Sequence, residues 1–136
     1  MPRFGRKSNS NLNTADPKLI RLMDEAIKYV DFGVVCGVRS EKEQNKAFAE
    51  GKSKVQYPNS KHNLVPSLAV DIVPWDGKKY CWGNDDKELL QIGQMIGVVK
   101  ACAIYLGIEI RCGFDWDNDG NITDESFIDA FHVELV

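Results

Sequence analysis

Histidine is scarce in this chain: His62 and His132 are the only two among 136 residues. Cys-x-x-Cys pairs are absent. Cys36, Cys81, Cys102 and Cys112 stand singly, mostly in apolar stretches, which argues against a structural zinc site and for reduced, buried thiols. No local motif marks any of them as a nucleophile. Long runs of one charge are missing, and a net charge of −3 gives no nucleic-acid footprint. The basic start Met1-Pro2-Arg3-Phe4-Gly5-Arg6-Lys7 is not followed by an apolar segment, so no signal peptide is expected. No stretch is expected to span a bilayer. Internal repeats and linkers are absent too. What remains, with 43% hydrophobic and 27% charged residues, has the makeup of one soluble globular domain.

Residues 1–15 are polar and read as an irregular arm. Asp16-Pro17 opens a helix as N-cap and first position, and Leu19, Ile20, Met23, Ala26, Ile27 and Val30 give it an apolar stripe. Phe32–Cys36 reads as a core strand. Ser40 with Glu43 forms a capping box for a second helix, which Gly51 stops. Residues 52–66 are polar and long for a connection, the mark of a functional loop. Leu68–Val73 is an apolar strand interrupted by Asp71. Asp86 to Leu106 is periodic over a wide face and closes at Gly107, as a central core helix does. Ile108–Cys112 and Phe131–Val136 complete the strands. The pattern predicts a single α+β domain over residues 1–136, with about three helices on a small, mostly antiparallel sheet.

Two stretches carry chemistry. In residues 115–126, Asp115, Asp117 and Asp119 alternate at positions 1, 3 and 5, with Asn121 two further on and Gly120 at the sharp turn. Alternate carboxylates converging on one hard cation describe the first part of an EF-hand-type calcium loop. Position 12 is Ser126, so Glu125 or Asp124 would have to supply the last ligand, and flanking EF-hand helices are not predicted. A solvated Asp-, Asn- and Gly-rich turn has the same composition. The second candidate is the set His62, Asp71 and His132. A catalytic zinc takes about three protein ligands, often two histidines and a carboxylate. A carboxylate inside an apolar strand needs a partner, which for Asp71 is a metal or a cationic side chain.

In order along the chain, Gly37-x-Arg39-Ser40-x-x-x-Gln44, Ser60-x-His62, Ala69-x-Asp71 and the terminal Asp129-x-x-His132-Val133-Glu134-Leu135 resemble the motifs of the VanY-like zinc metallopeptidases. Short phage endolysins of the L-alanyl-D-glutamate peptidase type match best, and the resemblance spans nearly the whole chain. It implies a hedgehog/DD-peptidase-like fold, with zinc held by His62, Asp71 and His132. Asp129 would be the general base, and Arg39 the group that polarises the scissile carbonyl. Ser60 and Gln44 match positions that support a ligand or touch substrate, and Glu134 one that orients a ligand. The acidic loop is similar to a calcium loop in such endolysins, with Asp115, Asp117, Asp119, Asn121 and Glu125 as ligands. One departure stands out: the family pattern S-x-H-x-x-G-x-A-x-D has six residues between His and Asp, where this chain has eight. An outward bulge would absorb them, because lengthening a loop costs little.

The resemblance implies an enzyme that cuts the stem peptide of bacterial peptidoglycan between L-Ala and D-Glu, with Zn2+ as cofactor and Ca2+ as regulator. The expected form is a monomer that stays in the host cytoplasm until it reaches the wall. A D-Ala-D-Ala carboxypeptidase or dipeptidase would use the same apparatus. A non-enzymatic, calcium-dependent wall-binding module would use the acidic loop but leave the histidines without a purpose.

Overall fold

Capping chemistry sets the helix ends in the computed structural model, which describes residues 2–136. The elements are α1 (Arg6–Leu12), α2 (Pro17–Ala26), β1 (Phe32–Cys36), α3 (Glu41–Ala49), a 3-10 turn (Lys61–Asn63), β2 (Ala69–Pro74), α4 (Asp86–Leu106), β3 (Ile110–Cys112) and β4 (His132–Leu135). Asp16 caps α2 by accepting from the Lys18 N–H, with Pro17 at the first helical position. Ser40 and Glu43 form the reciprocal box at α3. Gly107, at φ 69°, adopts the left-handed conformation that ends α4.

The four strands form one antiparallel sheet in the order β1-β2-β4-β3. Side chains alternate across it. Val70 and Ile72 of β2, Val34 of β1, and Val133 and Leu135 of β4 join Leu19, Leu22 and Met23 of α2 and Met95 and Val99 of α4 in the core. The intervening residues, Asp71, His132 and Glu134, are thereby turned to the other face. This is the α+β single domain expected from the sequence.

Several boundaries differ from expectation. Residues 6–12 form α1 where an irregular arm was expected, making four α-helices rather than three. The segment Arg-Lys-Ser-Asn-Ser-Asn-Leu has no apolar period; its partners are tertiary. Ser8 Oγ accepts from the Val34 N–H (3.1 Å), and Asn11 Nδ2 donates to the Val34 carbonyl (2.8 Å). Both backbone groups of Val34 on the free edge of β1 are thus satisfied by side chains. Helix α2 ends at Ala26, leaving Val30 beyond it, and β3 starts at Ile110. Cys36 is half-buried, whereas Cys81, Cys102 and Cys112 are buried.

Helix α4 corrects another expectation: it is long and apolar enough to cross a bilayer by length and composition. It packs Ile92, Met95, Val99, Cys102 and Ala103 inward, against α2 and β2. Leu90 and Ile104, on the outward face, remain 74% and 82% exposed.

Candidate functional site

Strand register assembles the site. In the β2–β4 pair, Asp71 lies opposite His132, and Ala69 opposite Glu134. A slip of one residue would turn Asp71 or His132 into the core. His62 arrives from the 3-10 turn, where Ser60 Oγ accepts from the His62 N–H and Asn63 Oδ1 from the Ser60 N–H. The backbone N–H of Arg39 ties the turn down by donating to the His62 carbonyl at 2.7 Å. The residues inserted between His62 and Asp71 bulge outward, with Val65 81% exposed.

Three donor atoms converge. His62 Nε2 lies 3.2 Å from Asp71 Oδ1 and 3.2 Å from His132 Nδ1, and His132 Nδ1 lies 3.4 Å from Asp71 Oδ1. The outer nitrogen of each ring is already engaged. His62 Nδ1 is 2.8 Å from the Gly37 carbonyl, which can only accept, so Nδ1 carries the proton. His132 Nε2 likewise donates to Glu134 Oε1 at 2.8 Å. In their neutral forms both rings therefore turn bare lone pairs toward each other and toward a carboxylate oxygen, an arrangement that calls for a cation at the centre. Burial opposes charging of the His62 ring, but Asp71 outweighs it and raises its pKa, the same pull that a metal cation would answer in place of that proton. Burial also opposes ionisation of Asp71, yet the two histidines keep its carboxyl well below the usual range. For Glu134, His132 and Lys61 overcome burial and hold the carboxyl low. The Cys36 thiol lies 3.8 Å from His62, but against Nδ1, the edge that faces away from Asp71.

Asp129 stands next to this triad, its carboxylate within 4.8 Å of the Asp71 and His132 donor atoms. Burial, and then repulsion from Asp71, pushes its carboxyl upward. Its backbone is fixed by Gly113, whose carbonyl accepts from the Asp129 N–H and whose N–H donates to the His132 carbonyl. A Cβ at Gly113 would collide with the Asp129 backbone, a requirement with no signal in the sequence. Arg39 donates from Nη2 to Asp71 Oδ2 and from Nη1 to Gln44 Oε1, each at 3.0 Å. Gln44 is fully buried and so supports Arg39 from beneath.

Arg39, His62, His132 and Glu134 floor a cleft of about 410 Å³. Residues 52–55 and 59–61 form one wall; Trp116, Phe127 and Asp129 form the other. The Trp116 indole N–H donates to the Phe127 carbonyl, the two rings stack, and the Trp116 ring lies 5.3 Å from that of His132. Sequence reasoning missed both aromatics, because nothing local marks them.

The acidic loop leads directly into Trp116. Asp115, Asp117 and Asp119 form one group able to hold a cation, and Asp117, Asp124 and Glu125 a second that shares Asp117. Asp115 is buried and accepts from the Asp119 and Gly120 N–H groups. Glu125 Oε1 is buried without a hydrogen-bond partner. Desolvation, followed by repulsion from Asp119, Glu125 and Asp124, pushes Asp117 up to about 6. The Asn121 side-chain oxygen accepts from the Thr123 N–H and from its hydroxyl.

Known proteins are similar to this chain over nearly its full length. The L-alanyl-D-glutamate peptidase of Escherichia phage T5 is 31% identical over 139 residues, covering 98% of both chains. The crystal structure of the Serratia marcescens L-Ala D-Glu endopeptidase ChiX superposes with a TM-score of 0.77 at 25% identity, covering 98% of this chain and 90% of that one. The profile of the phage L-alanyl-D-glutamate peptidase family matches residues 1–136, and the chain belongs to that family.

Proposed function

We propose that this protein is a zinc-dependent endopeptidase that hydrolyses the L-Ala–D-Glu bond of the peptidoglycan stem peptide. The observation that carries the reading is the triangle of bare donors, with edges of 3.2–3.4 Å, formed by His62 Nε2, His132 Nδ1 and Asp71 Oδ1. Donors bound about 2.0–2.1 Å from a tetrahedral ion stand roughly 3.3 Å apart, and two histidines with one carboxylate suit zinc. A zinc ion held there would supply a Lewis acid and make water nucleophilic near neutral pH. The names of the phage T5 relative and of the Serratia structure support the choice of bond.

The chain's own residues divide the remaining work. Asp129, biased by burial toward holding a proton, takes one from the attacking water and returns it to the leaving amine. Arg39 is held in place by Asp71 and Gln44 and lines the cleft with N–H donors to spare, a permanent cation to meet the negative charge that develops on the scissile carbonyl. Glu134 and the Gly37 carbonyl orient the two histidine rings, and Ser60 shapes the turn that presents His62.

Calcium in the acidic loop would regulate this site. Five carboxylates, those of Asp115, Asp117, Asp119, Asp124 and Glu125, gather there, and the unpartnered Glu125 oxygen supports a bound cation. Filling the loop would order Trp116, which packs beside His132. The same reading keeps the enzyme, as a monomer, in the host cytoplasm until lysis.

The test is digestion of purified peptidoglycan, followed by mass spectrometry and labelling of new amino termini. New D-Glu termini, lost on chelation and regained with zinc, are expected, and His132→Ala should abolish them. Release of free D-Ala instead would move the assignment to a carboxypeptidase.

A further inference from the structure

We propose that Lys54 recognises the free carboxylate of the residue on the leaving side of the scissile bond, an inference that rests on the endopeptidase reading above. Four cations line the cleft: Arg39, Lys52, Lys54 and Lys61. Arg39 pairs with Asp71, Lys61 with Glu134 and Lys52 with Glu50. Among the described residues, Lys54 is the one cleft cation left without a carboxylate partner. Its ammonium instead lies 5.1 Å from the centroid of the Phe127 ring, on the opposite wall.

The backbone beneath Lys54 is held from inside. The buried Gln44 carboxamide donates to Ser53 Oγ (2.9 Å) and to the Val55 carbonyl (2.8 Å), gripping the residues on both sides of Lys54. The same side chain accepts from Arg39 Nη1. One buried group therefore sets the position of the Lys54 wall relative to Arg39. Phe127 stacks on Trp116, and Trp116 packs beside His132. The ammonium thus spans the cleft, two rings away from the triad.

The substrate's chemistry supplies the missing partner. A glutamyl residue cut at its amino side has two carboxyl groups, and only one continues the chain. The other stays ionised beside the scissile bond. An ammonium resting on a ring face is weakly held at an exposed site, and a carboxylate offers it a charge-assisted hydrogen bond instead. A neutral amide at the same place offers no such gain.

The experiment uses two synthetic stem peptides that differ only in this group, carboxylate or carboxamide, and full-length enzyme loaded with zinc and calcium. The wild type should favour the carboxylate by at least about tenfold in kcat/KM. Lys54→Met should bring that ratio close to one, and Lys54→Arg should keep it. A wild type that treats both peptides alike overturns the inference while leaving the endopeptidase reading intact. So does a Lys54→Met enzyme slowed equally on both, since that marks a wall residue rather than a reader of charge. If the wild type cuts neither peptide between Ala and Glu, the endopeptidase reading falls, and the inference falls with it.

Discussion

Replacing Gly37 with alanine tests whether the N-terminal helix and the histidine site act as one mechanical unit. A Cβ at position 37 would overlap the Asn11 carbonyl oxygen and Thr14 Oγ1. Neither neighbour moves easily. Thr14 Oγ1 donates to the Asn11 carbonyl at 2.7 Å and accepts from the Val38 N–H at 2.8 Å. Asn11 is itself anchored to Val34. Relief requires shifting α1 off β1 or moving the Gly37 peptide, whose carbonyl holds His62 Nδ1. Overpacking of this kind costs about 1–3 kcal/mol, and a buried imidazole N–H left without its acceptor costs a similar amount. A combined loss of about 2–6 kcal/mol lowers Tm by roughly 7–21 °C for a chain of this length. Zinc affinity, measured against a competing chelator, should fall by about 10–100-fold as the ring loses its orientation. Gly33→Ala is the comparison, because the nearest atoms to its Cβ belong to the Tyr80 side chain, which makes no hydrogen bond to the histidine site, so zinc affinity should hold. A Gly37→Ala protein that melts within about 2 °C of the wild type and binds zinc equally well would refute the reasoning.

Asp129→Asn should lower kcat by about 10²–10⁴-fold while zinc affinity stays within about threefold; a fully active variant would remove Asp129 from proton transfer. Chelating the metal should lower Tm by roughly 9 °C relative to protein with zinc at about a hundred times its Kd, because the ion binds only the folded triad. A Tm indifferent to zinc would mean the triad holds none. Asp115→Asn with Asp117→Asn should reduce the calcium dependence of hydrolysis. Activity unmoved by these changes, and by calcium chelation that spares zinc, would defeat the regulatory reading. Ser40→Ala should cost about 1 kcal/mol in denaturant unfolding through loss of the α3 capping box.

The sequence by itself determined whatever depends on neighbours three or four residues away. Asp16-Pro17, the Ser40/Glu43 box and Gly107 place helix ends because each cap bonds within its own turn. The apolar stripe of Asp86–Leu106 likewise marks the whole of α4. Ordered motifs named His62, Asp71, His132 and Asp129 as candidates, but only tertiary structure decided that they meet. Asp71 and His132 face one another through β2–β4 register, and their partner His62 is oriented by a carbonyl 25 residues away in sequence. Helix α1 was invisible for the same reason: its polar residues bond to the edge of β1, not to each other. Gly113, Trp116, Phe127 and Lys54 gain their roles from contacts across the cleft and beneath it. Local hydrogen bonding can be read from short spacings, whereas a site built from distant strands and loops exists only once the core has fixed their register.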